Sequence, residues 1–337
     1  MKIVWIALIA LLVLTALVEL ALRYFFGFGR PLIYQADPAI GYLLAPDQAT
    51  RRFGNRIVIN QYSMRTEPIA PQRSDQTLRV LMIGDSVANG GWWTDQANTI
   101  SAVLKSKLIS VQASLALSGK SSDQASGSET TSVTAVEVLN ASANSWGPRN
   151  ELAYLERFGL FNANYLVLII NTDDLFSTTP TSLVVGVDRN YPDRLPQGAI
   201  AEVIQRYILP QPTPSPELAK VRAERGDRVG KNLAAIQAID QLAQQAGAKF
   251  LLVMTPLLRE VEAPGPKDYE LEARLRLRQF TQAQQIDYVD GLTGFQSVTV
   301  AQSLYHDHIH LSAAGNQLVS DWIEQWIQRP DRQSLPQ

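Results

Sequence analysis

The chain contains no cysteine. Disulfides, thiolate nucleophiles, Cys-ligated zinc and iron–sulfur clusters are therefore excluded, and an exported protein of this composition must be held together by its core. Histidine is nearly as scarce, with 3 residues in 337, so any chemistry that needs an imidazole is confined to them. Neither sign of charge is in excess: 30 Lys and Arg stand against 32 Asp and Glu, for a net charge of −2. That balance offers no footprint for nucleic acid and no acidic tail of the disordered kind. The sequence has no internal repeat. What it does have is apolar residues, 46% of the chain, enough for one large α/β domain with extensions.

The longest apolar run lies at the start. Residues 3–18, IVWIALIALLVLTALV, carry no charge, and apolar residues continue to Phe28, interrupted by Glu19 and Arg23. A helix through Ile3–Leu22 rises about 30 Å, the thickness of a hydrocarbon core. Glu19 and Arg23 are four apart with the acid first, the better order for an ion pair. They would lie near the outer interface beside Tyr24, Phe25 and Phe26. No small-x-small site precedes that aromatic cluster, so residues 1–28 read as an uncleaved anchor, with a cleaved signal peptide as the alternative. Lys2 inside and the bulk of the chain outside the cytoplasm, in a periplasm or at a cell surface, is the expected orientation.

Residues 29–78 read as an extended connecting segment, punctuated by Pro and Gly, in which only RIVIN resembles a strand. From residue 79 the pattern changes. Five short apolar runs follow, RVLMI (79–83), VEVLN (136–140), YLVLII (165–170), KFLLVM (249–254) and IDYVD (286–290). Uninterrupted runs of this kind suit strands of a parallel sheet buried on both faces. Helical patterns over 99–108, 150–158, 232–246, 268–284 and 313–328 lie between and after them, the last with Ser312 as N-cap. Strand and helix in alternation predict a doubly wound α/β domain over 79–330, with ligands bound beyond the carboxyl ends of the strands. Residues 109–134, which include the polar SGKSSDQASGSETTS, read as a mobile surface insertion. The Pro-rich stretch 176–228 reads as a long excursion placed to act as a lid.

Two segments carry chemistry. In VLMIGDSVANG a strand ends in Gly84-Asp85-Ser86 and a helical segment follows, which sets the Ser86 hydroxyl at the carboxyl edge of the sheet. A serine hydroxyl is a poor nucleophile until a base takes its proton. All three histidines fall in HDHIHLSAAGN, as His306, His308 and His310. Asp307 stands three residues before His310, so its carboxylate can fold back in a turn and hold one ring nitrogen while the other accepts a proton. The alternating histidines also suit metal ligands on one strand face, but a turn leading into a helix is not an extended strand.

Gly84-Asp85-Ser86 near the start of the domain, with Asp307-His308-Ile309-His310-Leu311-Ser312 and Gly315 near its end, resembles the SGNH (GDSL-type) hydrolase superfamily. The resemblance implies a three-layer α/β/α sandwich with a five-stranded parallel sheet. It also implies Ser86 as nucleophile, His310 as base and Asp307 as the residue orienting it, with no metal or cofactor. Two further family motifs supply a glycine and an asparagine to the oxyanion hole. The first resembles Asn140-Ala141-Ser142-Ala143-Asn144-Ser145-Trp146-Gly147-Pro148, with Ser145 at the glycine position, where a backbone N–H survives the change. The second resembles Asn171-Thr172-Asp173-Asp174, with Asp173 where the asparagine would donate. An ionised carboxylate only accepts hydrogen bonds. Either Asp173 is protonated, or it turns away, or Asn171 or Thr172 donates in its place. Trp146, ahead of Trp92 and Trp93, is the candidate for stacking on a sugar ring. Arg65 reads as a surface ion-pairing residue.

The resemblance implies an extracytoplasmic serine esterase acting on O-acyl, above all acetyl, groups of surface carbohydrate or on small esters. Alternatives are an O-acyltransferase using the same triad, and a non-catalytic carbohydrate-binding or assembly protein with an impaired oxyanion hole.

Overall fold

Runs of consecutive apolar side chains need cover on both faces, and the chain supplies it with helices on either side of a central sheet. The structure, a computed structural model, describes residues 1–117 and 133–329. Its strands are β1 (Tyr34–Asp37), β2 (Gly41–Leu44), β3 (Gln48–Arg52), β4 (Asn55–Ile59), β5 (Thr77–Gly84), β6 (Ala135–Ser142), β7 (Tyr165–Asn171), β8 (Lys249–Thr255) and β9 (Asp287–Asp290). The last five form one parallel sheet in the order β6-β5-β7-β8-β9. The chain runs outward from β5 to β6 and then crosses back to β7, so the winding reverses at β5. The carboxyl end of such a strand is where a doubly wound sheet opens a crevice.

The helices are α1 (Lys2–Ala21), α2 (Ser86–Asn89), α3 (Ile100–Leu117), α4 (Pro148–Phe158), α5 (Ala199–Val203), α6 (Pro216–Arg222), α7 (Arg228–Gln245), α8 (Leu258–Val261), α9 (Asp268–Gln284), α10 (Gly291–Gln296) and α11 (Ala313–Ile327). Alternate residues of the strands point to opposite faces. Leu81, Ile83, Leu168 and Leu252 meet α4, α7 and α9 in one core. Val80, Met82, Val167 and Val253 meet α3, α10 and α11 in the other. This is the expected α/β/α sandwich, and the five apolar runs are its five strands. The helix α3 continues to Leu117, so residues 109–117 are not part of a surface insertion. Residues 118–132 of the expected insertion lie outside the described residues.

Residues 29–78 are not extended. They fold into two hairpins, β1–β2 and β3–β4, whose Tyr34, Tyr42, Leu44, Ile57 and Ile59 enter the first core. Apart from the RIVIN strand, the hairpins escaped sequence reading because their strands are short and carry polar residues such as Gln35 and Arg51 on the open side. The N-terminal helix is long and apolar enough to cross a membrane by length and composition: 25 residues over Lys2–Phe26, mean hydropathy 2.7 in its most apolar window, with that window wholly exposed. Arg23 Nε donates to Glu19 Oε1 at 2.6 Å, the anticipated pair. The Glu19 carboxylate also accepts from the backbone N–H groups of Ala199 and Ile200, at 2.8 and 2.9 Å, and so caps α5.

If the hairpins belong to the fold, Ile40, which is 0% exposed, is a core residue. Ile40→Ala should then lower the unfolding free energy by about 2–5 kcal/mol in a denaturant titration. A solvated connector would show a change within about 0.5 kcal/mol.

Candidate active site

The Ser86 loop begins where β5 ends. A side chain at Gly84 would place its Cβ 2.4 Å from the Ile169 carbonyl oxygen of β7, so only glycine lets β5 run this close to its neighbour. Asp85 then caps α2, its Oδ1 accepting the Val87 N–H at 2.8 Å. Ser86 is thus the first residue of a helical turn at the carboxyl edge of the sheet. The turn is tied to β6 from both directions: Asn89 Nδ2 donates to the Ser142 carbonyl at 2.9 Å, and Asn140 Nδ2 to the Ala88 carbonyl at 2.8 Å.

His310, the candidate base, arrives from the far end of the domain. Residues 306–310 form a loop closed at its neck by the His306 N–H, which donates to the His310 carbonyl at 2.8 Å. Inside the loop Asp307 Oδ1 accepts the N–H groups of Ile309 and His310, both at 2.9 Å. Its second oxygen, Oδ2, lies 2.7 Å from His310 Nδ1. A carboxylate can only accept, so Nδ1 carries the proton and Nε2 is left as an acceptor. Nε2 lies 2.9 Å from Ser86 Oγ, 224 residues away in sequence. Ser312 caps α11 by accepting the Gly315 N–H at 3.3 Å, which fixes the loop's exit. Partial burial works to raise the Asp307 carboxyl. The His310 ring and the two backbone N–H groups outweigh it and hold the group down at about 2.

The three expected triad residues are therefore brought together, and the expected oxyanion residues are sorted. Ser145 lines a cavity of about 470 Å³ together with Ser86 and His310. Its φ of 58° lies in the left-handed region that favours glycine, the residue that the motif places here. Asp173 is exposed and does not line the cavity. Its backbone N–H donates to Asn171 Oδ1 at 2.7 Å, in a turn that carries the side chain outward. Its carboxyl is raised by partial burial, in spite of Arg259. Asn171 and Thr172 do not replace it. Asn171 Nδ2 donates to Asp85 Oδ2 at 2.8 Å, and Thr172 Oγ1 donates to Glu260 Oε2 at 2.6 Å, both fully below the surface.

Trp146 is a correction as well. It is 2% exposed, packs against Tyr154 and donates its Nε1–H to the Tyr42 carbonyl at 3.0 Å, so no ring face is free for a sugar. Trp92 and Trp93 line the cavity instead. The Trp93 ring lies 4.0 Å from that of His310 and stacks on His306 at 6.0 Å. His306 therefore packs on an indole, and His308 is exposed. Among the described residues no group of three or more His, Cys, Asp or Glu is arranged to hold a metal ion.

Sequence reading passed over two contributors, Asn144 and Tyr191, and misplaced a third, Arg65. Asn144, beside Ser145 in the same motif, lines the cavity, and its Oδ1 is buried without a hydrogen-bond partner. The oxygen and NH₂ of an amide occupy nearly the same shape, so the position of the unpaired oxygen can equally be filled by the NH₂ donor. Tyr191, from the 176–228 excursion, donates its hydroxyl to Ser145 Oγ at 2.9 Å. With Arg189, Asn190, Arg206 and Tyr207 it walls the cavity, so the excursion does cover the site. Arg65 is no surface residue. It is 1% exposed and donates to the carbonyls of Asn89, Gly91 and Thr94 at 2.7, 2.6 and 2.5 Å, clamping the loop that bears Trp92 and Trp93. Burial pushes its guanidinium down to about 9.

Two outcomes follow. Arg65→Met leaves three buried carbonyls without their donor and should cost at least about 3 kcal/mol in urea unfolding, at about 1–3 kcal/mol for each group. Arg65→Lys should recover less than half, because an ammonium cannot span the three acceptors. Asp307 is depressed from an unfolded value near 3.9 to about 2. Its contribution to stability is complete above the unfolded value and is lost as pH falls through about 2. Between about pH 4 and 2, wild type should lose stability more steeply than Asp307→Asn; parallel acid titrations would contradict the depressed carboxyl.

No protein-family model matches the chain, and no curated protein matches it. Among solved structures it is similar to an acetylxylan esterase from Geobacillus stearothermophilus, with 13% identity over 75% of this chain and 95% of that one and a TM-score of 0.46. It is similar to another acetyl xylan esterase, with 16% identity over 74% and 98% of the two chains and a TM-score of 0.42. It is similar as well to a member of the lipolytic protein G-D-S-L family from Veillonella parvula, with 10% identity over 75% and 100% and a TM-score of 0.43.

Proposed function

We propose that the chain is a membrane-anchored serine ester hydrolase of the SGNH type, facing away from the cytoplasm. The observation that carries this reading is the continuous pair of hydrogen bonds from Ser86 Oγ to His310 Nε2 and from His310 Nδ1 to Asp307, 2.9 and 2.7 Å long. As an acyl ester enters, Ser86 Oγ attacks its carbonyl carbon and the hydroxyl proton passes to Nε2. Asp307 stabilises the imidazolium that results. The tetrahedral oxyanion is met by the backbone N–H groups of Ser86 and Ser145 and by the Asn144 amide turned NH₂-first, which takes over the role that Asp173 cannot fill. The alcohol leaves with the proton held on Nε2, and an acyl-Ser86 remains. Water then attacks the acyl carbon, His310 takes its proton, and the acid departs as Ser86 recovers its hydrogen.

The walls favour a small acyl group on a carbohydrate. A cavity of about 470 Å³ lies toward the lower end of ordinary ligand sites, and Trp92, Trp93 and Tyr191 offer ring faces and a hydroxyl to a sugar. The anchor reading draws on Glu19, whose carboxylate caps α5 of the folded domain; a leader removed by processing would take that cap away. Passing the acyl group to a sugar hydroxyl instead of water uses the same three residues and is the second reading.

The full chain in detergent should be labelled by a fluorophosphonate probe, and Ser86→Ala and His310→Ala should not be. Acetate release from an O-acetylated oligosaccharide should fall at least about 10³-fold in either variant. A folded wild type that resists the probe would end both enzyme readings. Labelling with transfer to an added glycan and little free acetate would select the transferase.

A further inference from the structure

Glu19, the cap of α5, sits in the last turns of the apolar helix, so α5 begins at the level where that helix would leave a membrane. The segment that follows stays at that level. Glu202 accepts the Gly29 N–H at 2.6 Å and pairs with Arg52 and Arg206 at 2.5 and 2.8 Å. The Tyr207 ring meets Phe28 at 6.1 Å. Residues 199–207 therefore run alongside residues 19–29. Past that point Tyr207, Ile208 and Leu209 are 64%, 70% and 50% exposed, three large apolar side chains in a row, joined through Phe28 to Phe26 at 6.3 Å; Tyr24, Phe25 and Phe26 are exposed too.

A row of rings leads from this patch to the catalytic base. Phe26 meets Phe53 at 5.9 Å, Phe53 meets Trp92 at 5.1 Å, Trp92 meets Trp93 at 5.9 Å, and Trp93 meets His310 at 4.0 Å. Phe53 and Trp92 are exposed, and both line the cavity, as do Tyr207 and Arg30. Arg30 lies four residues beyond Phe26, at most about 14 Å of chain.

We infer that the turn Tyr207-Ile208-Leu209 is a second, monotopic membrane contact, and that the cavity opens on the lipid surface and takes its ester from an amphiphile held there. The inference rests on the anchored-hydrolase reading and specifies how its substrate is presented. Exposed aromatic and aliphatic side chains next to a spanning helix belong in the interfacial layer, where their rings bridge apolar and polar surroundings. The occupant of the patch is lipid and not a protein partner, because ring contacts through Phe28 and Phe26 tie the patch to the exposed apolar helix that would cross the membrane. An amphiphile whose chain stays in that layer can slide its ester along Phe53 and Trp92 to Ser86, with Arg30 at the mouth facing headgroup phosphates.

The absence of cysteine makes a direct test simple. The full chain carrying Ile208→Cys is labelled with an environment-sensitive nitrobenzoxadiazole fluorophore and reconstituted in vesicles of phosphatidylcholine and phosphatidylglycerol. Leu12→Cys in α1 reports insertion, and Ala283→Cys, exposed near the amino end of β9 at the opposite end of the sheet, reports water. The label at 208 should shift to the blue with that at 12. A label at 208 that matches the one at 283 while 12 is shifted overturns the inference; a label at 12 that stays in water removes the anchor reading, and the inference with it.

A second arm compares fully O-acetylated dodecyl and methyl glucosides with the same vesicles. The double variant Ile208→Asp/Leu209→Asp should lose about tenfold or more on the dodecyl ester and change less than about twofold on the methyl ester. Equal loss on both, or on neither, counts against membrane delivery. If wild type cleaves neither ester, the hydrolase reading fails while the label still decides whether the turn meets lipid.

Discussion

A serine hydroxyl becomes a nucleophile only while a base is pressed against it, and here the proposed nucleophile and its proposed base are 224 residues apart. The fold is the means of closing that distance. Ser86 is set by the end of β5, where Gly84 permits close passage along β7 and Asp85 starts a helical turn. His310 is set by a loop that Asp307 folds upon itself before α11 begins. Each end is fixed by short-range hydrogen bonds, and the two meet because α11 packs against the same face of the sheet as α3. Error in either turn would open the 2.9 Å contact on which proton transfer depends.

Much of this was legible in the sequence because it is local. The five buried strands announce themselves as apolar runs, and the acid three residues before an imidazole encodes its own turn. The oxyanion side was not legible in the same way. Ser145 and Asp173 are placed by motif spacing, but whether a side chain points in or out depends on the turn after each strand. The Asn171 cap draws residues 171–174 into a 3₁₀ turn with Asp173 outside. At β6 a left-handed Ser145 turns Asn144 and Ser145 toward the cavity and Trp146 into the core. Trp146 looked like a ligand platform because its neighbours are at the site; one residue further along a turn the direction reverses.

The hairpins of residues 29–78 and the Pro-rich excursion were harder still, since neither has the long periodic pattern that identifies an element. Both earn their order through contacts distant in sequence. Tyr42, from the second strand, donates its hydroxyl to the Asn144 carbonyl at 2.7 Å and accepts the Trp146 indole N–H on its own carbonyl. It braces the oxyanion turn from both sides. Tyr191 adds a hydroxyl to Ser145 from the excursion. Segments that look like linkers thus complete the walls of the site.

The ion cluster at Glu202 has a practical and a mechanical side. It binds the backbone of Gly29, the guanidinium of Arg52 from β3 of the second hairpin and that of Arg206 from the excursion, while Glu19 of the apolar helix caps the same short α5. The tether is therefore joined to the walls of the cavity by rigid contacts and not by a free strand of chain. If the apolar helix spans a bilayer, as proposed, the height of Ser86 above it is then a built dimension of the molecule, as fixed as a table's height by its leg. A fragment trimmed of the apolar helix would keep Ser86, Asp307 and His310 and lose the two bonds by which Glu19 caps α5.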